Sequence, residues 1–216
     1  MIPLFKSHYS LGKSILKVDK IFEIANDTVF LVEDSMAGFR VANKERAKTG
    51  KKLIFGLRLD TKSDFEPSKV IYFAKDDQGI DSLRRIYTKM ATSEDKVYKF
   101  DSNDLKGIDI AIPFYDSFIS RNFFNFGIHN IDFGQLEVTY FEEDNSHPFD
   151  FFIKKEIKRL QLDTIDVKSV YYEFKDDFKA YQAFKAITHR TKPPTFGNPN
   201  IAGLCSNRFC LEDINN

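Results

Sequence analysis

The chain has no tryptophan, two cysteines, three methionines and no formal net charge. Cys205 and Cys210 stand five apart with no other cysteine to complete them, which excludes a zinc site of the usual paired spacing. They are read as reduced thiols, with a local disulfide as the alternative. The 32 basic and 32 acidic residues cancel, so the whole molecule exerts no general pull on nucleic acid or acidic membranes. No apolar run approaches the roughly 20 residues needed to span a bilayer, and the N-terminus lacks a basic segment followed by an apolar core. A cytoplasmic protein without membrane contact is expected. Also missing are a glycine-rich phosphate loop, a nucleophile elbow and a metalloprotease helix motif.

What is abundant is aromatic: 23 phenylalanines and 9 tyrosines among 216 residues predict an aromatic-heavy core. The length suits one domain. Blocks of strand and helix alternate along it. A strand opening at Pro3 runs into the small polar residues before Gly12, and Val18 to Ala25 is helical by apolar spacing. Thr28 to Val32 reads as a strand, 37–48 as a helix closed by Gly50, and Lys52 to Leu59 as a third strand. A loop over 61–68 precedes a strand at Val70 to Ala74 and a helix over 76–90 with Ile80, Leu83, Tyr87 and Met90 on one face. A short strand is expected at Val97 to Phe100, strands at Ile108 to Ile112, Leu136 to Phe141 and Thr164 to Tyr172, and helices over 116–124, 148–160 and 175–187. The last helix would bury Phe178, Tyr181, Phe184 and Ile187. The rhythm is βαβ, which implies parallel strands with right-handed crossovers. Lys154, Lys155, Lys158 and Arg159 form a basic helix face, read as solvated, with nucleic-acid contact as the alternative. Prolines and glycines from Pro193 to Pro199 rule out regular structure there. Two regions are expected: a barrel over 1–190, and a tail over 191–216 that wraps it or links it to something further.

Several stretches, in order, resemble the PHP (polymerase and histidinol phosphatase) domain of bacterial DNA polymerase III alpha subunits. Pro-Leu-Phe-Lys-Ser-His-Tyr-Ser at 3–10 is similar to the first motif, Glu33-Asp34-Ser35 to the second, and Tyr72-Phe73-Ala74-Lys75-Asp76-Asp77-Gln78-Gly79 to a strand and turn typical of the polymerase branch. Leu136-Glu137-Val138 resembles the family's Leu-Glu-Leu strand. Ser169-Val170-Tyr171 stands where the family has Asp-Val-His, and Ser206 to Asp213 is similar to the link into the polymerase core. The resemblance implies an α/β fold, a distorted TIM-like (β/α)7 barrel of mostly parallel strands, with up to three metals held by His, Asp and Glu at the strand ends.

The ligand positions are largely replaced. Lys6 stands for the first histidine, Ser35 for the second-motif histidine, Arg58 for a glutamate, and Ser169 and Tyr171 for an aspartate and a histidine. Only His8 and Asp34 remain as ligands, with Glu137 a distant third, too few to hold a catalytic cluster. His8 is read first as a hydrogen-bonded strand-end histidine, with a metal ligand as the alternative. His129, His147 and His189 match no ligand position. Lys6 and Arg58 are expected to pair with Asp34, replacing metal charge by fixed cations; contact of both with a phosphate is the alternative. No catalytic residue and no cofactor are expected, the alternative being Mn, Zn or Mg at a residual site. The function implied is a non-catalytic module of a replicative polymerase that docks the polymerase core or the proofreading exonuclease, touching DNA only indirectly. A residual metal-dependent phosphoesterase or 3′ to 5′ exonuclease and a decoy for a replisome partner are the competing readings.

Overall fold

A computed structural model describes residues 1–63, 66–120, 131–189 and 206–213. Seven strands close into one barrel in chain order: β1 (Ile2–Phe5), β2 (Thr28–Glu33), β3 (Lys52–Thr61), β4 (Ser68–Ala74), β5 (Ile108–Ile112), β6 (Val138–Glu142) and β7 (Thr164–Val170). Between and after them lie α1 (Val18–Ile24), α2 (Phe39–Thr49), α3 (Asp77–Thr92), α4 (Asp150–Arg159) and α5 (Phe178–His189). β1 meets β7 in parallel, Ile2 opposite Val167 and Phe5 opposite Val170.

The sheet is mixed: β4 departs from the βαβ rhythm and runs antiparallel to both β3 and β5. The reason is the connection: β3 extends to Thr61 and β4 begins at Ser68, and the few residues between them are too short for the crossover a parallel pair needs. The expected strand at Val97 to Phe100 reduces to a single bridge between Thr61 and Tyr98. β6 begins at Val138, two residues later than expected. The 116–124 helix begins at Phe118 and is described only to Ser120. Ile187 does not join the core but is exposed, because α5 lies on the barrel through its earlier turns at Phe178 and Tyr181.

Alternation along the strands sorts the side chains into two cores. Leu4, Val32, Ile71, Phe73, Ala111, Phe141 and Val167 fill the barrel. The residues between them, among them Phe5, Leu31, Phe55, Leu57, Tyr72, Ile110 and Val170, face the helices. Gly56 is a matter of space: a Cβ there would lie 2.7 Å from the Phe73 ring, which crosses the barrel at that level. The C-terminal segment returns to the barrel. Tyr171 N–H donates to Phe209 O at 3.0 Å and Leu211 N–H to Tyr172 O at 3.2 Å, with Phe209 and Cys210 buried. Cys205 and the prolines of the tail lie outside the described residues. No helix among the described residues is long and apolar enough to cross a membrane.

Candidate functional site: the polar mouth of the barrel

Two residues beyond five of the barrel-facing positions, the same alternation points a polar or charged side chain into the C-terminal mouth. Leu4 leads to Lys6, Val32 to Asp34, Gly56 to Arg58, Phe141 to Glu143 and Val167 to Ser169. This is the end at which α/β barrels carry out chemistry. Lys6, Arg58, Tyr115, Glu143, Ser169 and Tyr171 line one cavity there. It measures about 30 Å³, room for about two waters and not for a nucleotide.

The cations that line it are paired at its rim. Lys6 Nζ donates to Asp34 Oδ1 at 2.6 Å, the lysine side chain 5% exposed and the aspartate 31%. Burial pulls the Lys6 ammonium below the usual lysine range, and Asp34 offsets part of that. Burial alone would push the Asp34 carboxyl up; Lys6 and then Arg58 overcome it and hold it below the usual carboxylate range. Arg58 does not bond Asp34 as expected. Its Nη2 donates to Tyr115 O at 3.0 Å and to Asp116 Oδ2 at 2.9 Å. Asp116, at φ 59°, turns back toward the mouth and lies closer to the guanidinium.

Two further carboxylates are buried without a cation bonded to them. Glu143 accepts from Ser169 Oγ at 2.9 Å, Ser169 N–H at 3.1 Å and Asn145 Nδ2 at 2.9 Å; burial still pushes its carboxyl up. Glu33 accepts from Ser7 N–H at 3.0 Å and from Ser10 Oγ, and burial raises it likewise. Tyr171 is pushed up to about 12 by burial. Tyr115 donates to Asp150 Oδ1 at 2.6 Å.

Of the residues singled out in the sequence, Lys6, Asp34, Arg58, Ser169 and Tyr171 come together here. Ser35 does not: it caps the turn Met36–Gly38, its Oγ accepting from Ala37 N–H at 3.3 Å. His8 is exposed, its Nδ1 3.2 Å from Leu16 O. Glu137 is corrected outright, for it precedes β6 at the opposite end of the barrel and is exposed. His147 is buried after β6 and accepts from Phe149 N–H at 3.2 Å, and His129 falls outside the described residues. Glu33, Tyr115, Asp116 and Glu143 were missed. The signal for Glu143 was its place two residues beyond Phe141 on the barrel face of β6.

This donor set does not fit a divalent metal. Each mouth carboxylate is already bonded to a cation or to N–H and O–H donors, Lys6 and Arg58 add repulsion, and no three His, Cys, Asp or Glu converge among the described residues.

No protein-family model matches the chain, and no curated protein matches it. Among solved structures, a candidate metal-dependent phosphoesterase from Bifidobacterium adolescentis is similar over 42% of this chain at TM-score 0.32 and 12% identity. The chain spans about a third of that protein, 34%. An amidohydrolase from Chromobacterium violaceum, with bound sulfate and no metal, is similar over 77% of this chain and 86% of its own, at TM-score 0.41 and 10% identity.

Proposed function

We propose that the protein is a non-catalytic PHP-like barrel of the DNA polymerase III alpha type, a cytoplasmic scaffold that docks a replicative polymerase core or its proofreading exonuclease. The observation that carries this reading is the Lys6–Asp34 ion pair, a fixed cation where a hydrolytic site would need a ligand. Arg58 paired with Asp116 repeats the substitution across the mouth. The order of the PHP-like motifs along the chain supports the family, and five parallel pairings out of seven support a TIM-like barrel. For a polypeptide partner there is exposed apolar surface: Leu11 and Ile187, each 76% exposed, flank the close approach of Gly12 to Thr188.

The experiment is size-exclusion chromatography of the protein with a polymerase III alpha core and with a proofreading exonuclease, in the presence of EDTA. A complex that survives chelation and weakens in Leu11→Asp/Ile187→Asp is expected. Absence of a complex with either partner, or Mn- or Zn-dependent hydrolysis of a DNA 3′ end, overturns the reading.

A further inference from the structure

The 13 residues from Arg40 to Lys52 carry six basic side chains and one acidic one, a net of +5, while the chain as a whole is neutral. The remainder is therefore −5, and the cations are concentrated on α2 and its exit. Two of them are engaged. Lys48 pairs with Glu45 at 2.6 Å, and Lys51 Nζ donates to Phe22 O and Ala25 O, both at 2.6 Å, closing the end of α1. Arg40, Lys44, Arg46 and Lys52 are exposed and make no ion pair among the described residues. Helical pitch sets Arg40, Lys44 and Lys48 in a row, successive members about 6 Å apart along the axis, opposite the buried Ala42. The helix is anchored underneath by Phe39, edge-on to Phe55 with centroids 5.2 Å apart.

We propose that this row is a docking face for the phosphodiester backbone of a nucleic acid, read without regard to base sequence. Charge complementarity argues for it, since Arg40 and Lys44, which meet no carboxylate among the described residues, are placed to replace the counterions of a polyanion. An anionic membrane fits less well. An interfacial helix turns apolar residues toward lipid, and here Phe39 and Ala42 turn inward. On α4, Lys154 pairs with Asp144 and Arg159 with Glu156, which leaves Lys155 and Lys158 as the cations of that face without an ion pair among the described residues. The inference does not rest on the proposed scaffold role, and failure of polymerase binding leaves it standing.

The test is fluorescence anisotropy of labelled 30-mers, as duplex DNA, single-stranded DNA and single-stranded RNA, between 50 and 200 mM salt. Arg40 and Lys44, the two cations of the row without an ion pair, predict a slope of log K against log salt of about −1.8 for duplex and about −1.4 for single strands. Arg40→Gln/Lys44→Gln should flatten the duplex slope by about 1.8. Lys155→Gln/Lys158→Gln on α4 should leave it unchanged, with both variants melting as the wild type does. Equal loss in the two variants, a wild-type slope near zero, or binding only to vesicles of phosphatidylserine and phosphatidylcholine overturns the proposal.

Discussion

Removing Asp34 should cost far more than removing Lys6, although the two share one ion pair. Asp34→Asn keeps the shape and leaves the Lys6 ammonium, on a side chain 5% exposed, without its counter-charge. Loss of one partner of a buried pair costs about 3–5 kcal/mol. Deprotonation sets a ceiling: at pH 7 an ordinary lysine stands about 3.4 units above ambient, and at about 1.36 kcal/mol per unit the limit is about 4.6 kcal/mol. Lys6→Met instead strands Asp34, which is 31% exposed and still feels Arg58, so water and a second cation hold the loss to about 1 kcal/mol. The double variant should return close to wild type, because burial disfavours the ammonium to begin with and apolar replacements of buried pairs are often neutral. The sign with pH follows. In Asp34→Asn the folded lysine titrates below the unfolded one, so the deficit is complete at low pH and shrinks as pH rises toward the ordinary lysine value. At pH 9 the ceiling is about 1.9 kcal/mol. Urea unfolding of the four proteins at pH 7 and pH 9 reads all of this. A Lys6→Met loss as large as that of Asp34→Asn, or a deficit unchanged at pH 9, refutes the reasoning.

Other consequences concern neighbouring groups. Burial raises the Glu143 carboxyl in the folded state, so the cost of its charge is absent below the unfolded carboxylate value and grows as pH rises; Glu143→Gln should melt higher than wild type at pH 8, with the gap closing near pH 4. Asp34 is held low and has the opposite sign: its contribution is present above the unfolded carboxylate value and disappears as pH falls through the folded one, so denaturation should set in below about pH 4. A Cβ on Gly79 would lie 2.2 Å from Gly107 O, and Gly79→Ala should cost about 2–3 kcal/mol in urea unfolding by forcing α3 off that turn. Phe209→Ala should cost about 3–5 kcal/mol and change near-ultraviolet circular dichroism, since the ring rests 4.9 Å from Tyr171 and 6.1 Å from Tyr115.

Long periodic segments were legible before any coordinates. The helices near α1, α2 and α3 and the β-branched strand at Thr28 carry strong local patterns, and each forms within a few residues of its expected limits. The direction of β4 was not legible, because strand propensity says nothing of orientation; only the brevity of the link after Thr61 hinted at it. The replaced ligand positions at Lys6 and Arg58 could be read from charge alone. Which acid each would meet could not, since Asp116 reaches Arg58 from 58 residues away across the barrel. Counting by twos from Phe141 would have found Glu143, whereas attention to a short motif led to Glu137, at the wrong end of the same strand.

The closure of β1 on β7 has a consequence in time. Ile2 and its partner Val167 are separated by 165 residues, which at about 5–20 residues per second is about 10–30 s of synthesis. The β3–β4 hairpin can zip within microseconds of its own appearance. β1 cannot be completed that way: one of its edges stays open, available to a neighbouring nascent chain, until β7 is made. Lys6 can meet Asp34 early in that interval, whereas Glu143 meets Ser169 only at its end. The bonds between those last two residues thus belong to the step that seals the barrel, and a ribosome stalled before Thr164 would leave a sheet with an unprotected border.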